Sequence, residues 1–310
     1  MLPWVRKHAN VNKLVGLELQ PEGIALVSKS QNGGDPLIDK IAFIAGENDA
    51  ERFSQLRHYV HTEKLEDIGC NLVLPNSAYQ LFLLEAPEVP EVELRDAIRW
   101  RMKDLVNMPM EKIALDIFLL PKDMGRAGKK MVYVAVVNRD YLLNVIDWVR
   151  GTGLVLKAID IAELAMRNVV INLVDPQMDF RGVAVARIRR GAGTVSVFRG
   201  GNLYLSRQFD LAYGGGLLEE LPAETLALEL QRSLDYYERQ LGQAAPSVLY
   251  VGGENIHDDK LTNVFRINLA TPIQHLDFSG AVKVVATADA GLMQLCVAAA
   301  GAALRREFDS

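Results

Sequence analysis

The stretch from Pro87 to Leu119, PEVPEVELRDAIRWRMKDLVNMPMEKIALDIFL, constrains this chain most. It reads as a rigid lead-in, an amphipathic helix, a proline stop and a strand. Glu91 and Glu93 fall in the first helical turn, where carboxylates favour the positive end of the helix dipole. Leu94, Ala97, Ile98, Met102, Leu105 and Val106 recur at three- and four-residue steps and make one apolar stripe. Pro109 ends the helix. Ile113, Leu115, Ile117 and Leu119 then alternate as a strand does. Trp100 points away from the stripe at about 100° per residue, so the helix has a second contact face. That face either packs on a neighbouring subdomain or borders a groove for a partner.

With 310 residues, 49% of them hydrophobic, the chain can bury the cores of two domains. A net charge of −5 gives nucleic acid no basic surface to bind. Cys70 and Cys296 form no CxxC motif; both sit in apolar runs, which reads as core in a reducing compartment. No segment reaches the roughly 18 apolar residues of a membrane-spanning helix. The N-terminal MLPWVRKHANVNK lacks the apolar centre of a signal peptide. It reads as a short tail, or as a segment touching a membrane surface through Leu2, Trp4 and Val5.

Leu14–Ser28 is predicted as two strands around a turn at Gln20–Gly23, with another strand at Ile41–Ala45. A helix over Asp49–Thr62 presents Phe53, Leu56 and Val60. Strands follow at Asn71–Leu74, Gln80–Leu84, Met131–Val137 and Leu154–Ile159, and helices at Arg139–Gly151 and Ile161–Val174. The second half opens with strands at Val183–Ile188, Thr194–Arg199 and Leu203–Phe209, with turns at Gly191–Gly193 and Gly200–Asn202. A long helix runs from Pro222 to Leu241. After it come a strand at Val248–Val251, a short helix at Lys260–Phe265, a strand-like piece at Ile273 and a terminal helix over Ala288–Arg306. Both halves thus start with a β-meander and move into helix–strand alternation, which predicts two α/β lobes.

Enzyme signatures are missing: there is no HExxH, GxSxG, Walker GxxxxGK[ST] or zinc-type Cys/His cluster. Gly125–Lys130, GRAGKK, has the wrong spacing for a phosphate loop and reads as a solvated turn. Gly191–Gly193 precedes a strand rather than a helix, so it is no dinucleotide loop.

LRDAIRWRMKDLVNMPMEKIALD resembles the small-subdomain segment of PilM-type proteins, an actin-like family of type IV pilus assembly. Leu226–Glu238, LALELQRSLDYYE, resembles that family's EIQRSL helix. Val297–Arg305, VAAAGAALR, resembles its terminal helix. The resemblance implies an α/β, actin-like (actin/Hsp70 superfamily), two-lobed fold with a small inserted α+β subdomain. It places lobes at 1–176 and 177–310, with the insertion at about 86–152.

The same resemblance points to a nucleotide cleft, and the residues there depart from the superfamily pattern. The first hairpin reads Gly16-Leu17-Glu18-Leu19-Gln20-Pro21-Glu22-Gly23, where the pattern has a magnesium-holding Asp at Glu18 and a glycine at Gln20. Pro21 removes an N–H donor. The second hairpin has Arg187 at its Asp position, followed by Arg189, Arg190 and Gly191. Those arginines suit phosphate, acidic lipid or an acidic partner. Leu249-Tyr250-Val251-Gly252-Gly253-Glu254 resembles the adenosine motif. The nucleotide-binding set implied is Glu18, Arg187, Arg189, Gly191, Gly214, Gly215, Arg232, Gly252, Gly253 and Glu254, with ATP or ADP as ligand and no metal site. Asp160 stands where actin-like enzymes position the attacking water, or else caps the helix that follows.

Hydrolysis needs charge stabilisation at the transferred phosphoryl group, and both hairpins have lost part of it. The expectation is therefore a non-enzymatic cytoplasmic adaptor with a degenerate cleft, serving an MSHA or type IV pilus platform at the inner-membrane face. Its implied partner is the cytoplasmic peptide of a PilN-like (MshJ-like) membrane protein, which also supplies its membrane association. Leu81, Leu83, Ala97, Trp100 and Arg101 are the implied groove. A nucleotide-driven ATPase switch and the cytoplasmic part of a GspL-like secretion protein are the alternatives.

Overall fold

A computed structural model describes residues 13–32, 35–121, 123, 130–174, 181–214, 222–253, 256 and 269–306. In chain order, strands β1 (Lys13–Gln20), β2 (Gly23–Asn32) and β3 (Asp35–Ala45) lead to helix α1 (Asp49–Thr62) and β4 (Gly69–Val73). Then come β5 (Tyr79–Glu85), α2 (Glu91–Met102), β6 (Ile113–Leu119), β7 (Met131–Asn138) and α3 (Arg139–Gly151). β8 (Val155–Asp160), α4 (Ala162–Leu173), β9 (Val183–Arg189), β10 (Ala192–Arg199) and β11 (Asn202–Asp210) follow. The rest is α5 (Ala223–Asp235), β12 (Val248–Gly253), β13 (Ile273–His275), β14 (Lys283–Val284), α6 (Ala290–Leu295) and α7 (Val297–Ala303).

The chain divides into two compact units. The first comprises Met1–Pro75, Leu143–Val169 and Phe278–Ser310; the second comprises Asn76–Leu142 and Val170–Asp277. The first unit holds a six-stranded sheet, β14-β3-β2-β1-β4-β8. β1, β2 and β3 form an antiparallel meander, whereas β4 and β8 run parallel to β1. The second unit holds a five-stranded sheet, β11-β10-β9-β12-β13, with the same plan: an antiparallel meander, then parallel β12 and β13. Five strands of each sheet therefore share one order and one set of directions, which is the repeat read from the two meanders.

In the first unit the Ala-rich α7 lies against β1 and α4 at backbone distance. A Cβ on Gly16 would sit 1.9 Å from the Ala299 carbonyl oxygen, and one on Gly301 would sit 2.0 Å from that of Ala165. Asn168 Nδ2 and Asn71 Nδ2 donate to the Gly301 and Ala302 carbonyls, both at 3.0 Å. These contacts satisfy carbonyls at a helix end, where no intrahelical partner exists.

The second unit also carries a three-stranded antiparallel sheet, β5-β7-β6, covered on one face by α2. Leu94, Ile98 and Met102 of α2 pack on Ile113, Leu115, Val132, Val134 and Val136. Asp123, at the end of this sheet, joins it to the five-stranded one. Arg199 Nη1 donates to Asp123 Oδ2 at 3.0 Å, and Tyr204 Oη donates to Asp123 Oδ1 at 2.9 Å.

Several expected elements differ. Helix α2 ends at Met102 rather than running to Pro109, and Leu105 of its expected stripe is exposed. The terminal helix is broken at Cys296 into α6 and α7. The long helix after Pro222 changes to π-helix over Tyr236–Gln240; the wider turn lets Tyr237 enter the core fully buried. The turn expected at Gly200–Asn202 is a two-residue link of Gly200 and Gly201, with φ of 53° and 71°. Positive φ at both positions is what a hairpin of matching twist requires. The helix expected at Lys260–Phe265 lies outside the described residues.

Candidate functional site

The β1–β2 hairpin closes with Gln20 opposite Gly23. Glu18 is only 1% exposed and Gln20 only 3%. Gln20 Nε2 donates to Glu18 Oε2 at 2.7 Å and to the Leu295 carbonyl at 2.7 Å. Both partners are acceptors, which fixes the amide's orientation. The break at Cys296 releases the Leu295 carbonyl from helical bonding, so the helix break and the hairpin residue serve one contact. Gln20 therefore bridges the strand carboxylate to the C-terminal helices with its own amide.

The β9–β10 hairpin turns through Arg190 and Gly191. Gly191 has φ of 72°, and open space surrounds its Cβ direction. Its N–H donates to the Tyr213 carbonyl at 2.8 Å, and its carbonyl accepts from Leu211 N–H at 2.9 Å. The segment after β11 thus uses the backbone groups of this glycine. Arg187 is 8% exposed, Arg189 half-buried and Arg190 exposed.

β12 runs beside β9 with Gly252 level with Arg187 and Gly253 level with Ile188. A Cβ at Gly253 would lie 2.1 Å from the Ile188 carbonyl oxygen, so close strand approach already demands a glycine there. Arg232 is exposed on α5 and pairs with Glu229 at 2.5 Å. Ser233 is fully buried; it donates to the Glu229 carbonyl at 2.7 Å and accepts from Arg207 Nη1 at 3.2 Å.

No protein-family model matches the chain, and no curated protein sequence does. Solved structures do. A chain of the PilM–PilN type IV pilus biogenesis complex superposes with a TM-score of 0.73 at 21% identity, covering 94% of this chain and 97% of that one. The fold is actin-like. The cytoplasmic domain of EpsL, an inner-membrane component of the type II secretion system of Vibrio cholerae, has a TM-score of 0.54 at 14% identity, with 95% and 96% coverage. A Bacteroides thetaiotaomicron protein with an actin-like ATPase fold has a TM-score of 0.50 at 11% identity, with 84% and 90% coverage.

Within this actin-like fold, the structure brings Arg187, Gly252 and Gly253 side by side. Glu18 belongs to the first unit, whereas Arg187, Arg189, Gly191, Gly214 and Arg232 belong to the second. Gly214 is exposed, with nothing near its Cβ direction. Gly215 and Glu254 lie outside the described residues. Asp160, at the carboxyl end of β8, is buried and accepts from Arg305 Nη1 at 2.6 Å.

The five groove candidates fall on two surfaces. Phe82 and Leu84 point to α2, so alternation turns Leu81 and Leu83 to the opposite face, in line with Tyr133 and Phe118. Ala97, Trp100 and Arg101 are on α2 itself. Arg101 Nη1 donates to the Glu85 carbonyl at 2.8 Å, tying the helix end to β5.

Sequence reasoning missed Gln20 as a bridging donor, Tyr213 as acceptor for the glycine, and the Asp123 link. The first had a signal: a Gln two residues from a buried Glu, on the same face of the strand. The other two had none, because the partners are far apart in sequence. No helix among the described residues is long and apolar enough to cross a membrane.

Proposed function

We propose that this chain is a cytoplasmic adaptor at the inner-membrane face, in the assembly platform of an MSHA or type IV pilus, of the MshI kind. It holds the cytoplasmic peptide of a PilN-like (MshJ-like) membrane protein, and that partner brings it to the membrane. The six-stranded and five-stranded sheets form the scaffold, and the small three-stranded sheet carries the docking part. The chain is not an enzyme, and its nucleotide-facing hairpins have become structural.

The observation that carries this reading is the pairing of Gln20 with both Glu18 and the Leu295 carbonyl. A carboxylate meant for hydrated magnesium is committed inside the protein, so the retained value of the fold is its surface. The docking element is β5, an edge strand of the small sheet with half-buried Leu81 and Leu83 on its α2-free face. Extended peptides bind edge strands through main-chain bonds, and alternate side chains fill pockets. The test is calorimetric titration with the N-terminal cytoplasmic peptide of the PilN-like protein. Binding weakened at least about tenfold by Leu83→Asp, the roughly 1.4 kcal/mol of one decade, supports it. Absence of binding, or binding indifferent to Leu83→Asp, overturns it.

The likeness to the EpsL cytoplasmic domain favours one other reading, a GspL-like secretion adaptor. Fused or co-expressed membrane partners of the two systems separate them by which one retains the chain.

A further inference from the structure

The outward face of α2 is unoccupied by the rest of the second unit, and its chemistry is bipolar. Asp96 and Trp100 each lie about 160° around the helix from the buried Ile98. Val92 is 89% exposed and Trp100 is 76% exposed. An exposed Val and an exposed Trp, about 12 Å apart along one helix, are two large apolar side chains to leave in water. The charges around them are sorted along the axis. Glu88, Glu91, Glu93 and Asp96 lead, broken by Arg95, and Arg99, Arg101 and Lys103 follow, closed by Asp104, so the first half is net negative and the second net positive. This order suits the helix dipole locally. It also means that a uniformly basic partner, or an anionic lipid surface, meets attraction on one half and repulsion on the other.

A second copy running antiparallel meets attraction on both halves. We propose that the α2 face is a self-association surface, with the two-fold axis beside Asp96. That register sets Trp100 of each copy at the level of Val92 of the other, as an isologous contact requires. It lays the acidic half of each helix along the basic half of the other. Its unfavourable contacts are Asp96 against Asp96 at the axis and Glu88 level with Asp104 at the ends. A single pair of helices this short covers less than about 1,200 Å², the lower limit of standard interfaces, so the dimer is weak and forms with dissociation constants in the micromolar to millimolar range. Peptide capture at Leu81 and Leu83 uses the other face of the small sheet, so the two surfaces are compatible.

The test is sedimentation equilibrium of the full chain from about 10 μM to about 500 μM, a range chosen to span such constants. Concentration-dependent dimer is expected. Trp100→Glu should weaken it at least about tenfold, and Asp96→Asn should tighten it about threefold by removing the like-charge contact. Leu228→Glu, on the exposed side of α5, should change nothing. Asp96→Cys should give a disulfide dimer on mild oxidation, because both native cysteines are buried. All these positions are exposed, and circular dichroism checks that the variants fold. A monomer at every concentration with no Asp96→Cys cross-link overturns the proposal. So does a dimer that Trp100→Glu leaves intact, or one that Asp96→Asn weakens.

Discussion

Gln20 Nε2 stands 2.7 Å from Glu18 Oε2, inside the protein, and spends its second proton on the Leu295 carbonyl. A residue that looked like a lost phosphate-loop glycine is a structural cross-link. Replacing Gln20 with Ala removes a hydrogen bond to a buried carboxylate and strands the Leu295 carbonyl, at a cost of about 2–4 kcal/mol. Urea unfolding of Gln20→Ala against the parent protein measures this. A change below about 0.5 kcal/mol would show that the bridge is not structural.

Gly301 is predicted to tolerate no side chain. Its Cβ would lie 2.0 Å from the Ala165 carbonyl oxygen, and neither backbone can yield without moving α7 off α4. Gly301→Ala should cost about 1–3 kcal/mol as an overpacking change. Gly242→Ala meets nothing near its Cβ direction and pays only for φ of 67°, about 1 kcal/mol. Thermal melts of the two variants should rank in that order.

Asp160 is buried and its carboxylate takes a 2.6 Å hydrogen bond from Arg305, which is itself partly exposed. Arg305→Met should destabilise by about 2 kcal/mol, less than for a fully buried pair because solvent reaches the guanidinium. The double variant Asp160→Asn/Arg305→Met should recover part of that loss in a double-mutant cycle. Full additivity would mean that the pair does not couple.

The Asp123 link carries a pH signature. Burial, reinforced by the hydrogen bond to Asp123, raises the pKa of Tyr204 far above the usual phenol value. The folded protein keeps the hydroxyl protonated where the unfolded chain ionises. Its contribution is therefore complete below the unfolded value of about 10 and declines as pH rises beyond it. Unfolding free energy followed from pH 8 to 11 should fall at the alkaline end, and Tyr204→Phe should flatten that fall while lowering stability at pH 8. An unchanged alkaline slope in Tyr204→Phe would remove Tyr204 as its source.

Much of this was legible in the sequence because it is local. The meanders and the α2 stripe of Leu94, Ile98 and Met102 follow from periodicity and backbone chemistry; the helix stop does not, since α2 ends at Met102, ahead of Pro109. The shared strand order follows less directly, yet two meanders feeding helix–strand alternation pointed to it. The break at Cys296 was not legible: Val297–Leu304 is good helix by propensity, and Gln20, which takes the Leu295 carbonyl beside the interruption, is far away in sequence. The division of Leu81 and Leu83 from Trp100 was also hidden, since strand parity fixes a face only once the covering helix is placed. Arg187 read as part of an arginine hairpin open to phosphate, lipid or an acidic partner, but β12 and β10 flank it and leave it nearly buried.

The most direct measurement is the melting temperature of the unmodified protein with and without millimolar Mg-ATP. A site that bound nucleotide at 100 times its dissociation constant would add about 2.7 kcal/mol of stability. With Glu18 tied to Gln20 and the Gly191 N–H given to Tyr213, no shift is expected. A clear upward shift that Arg232→Glu abolishes would contradict the adaptor reading and put a working nucleotide site back into this fold.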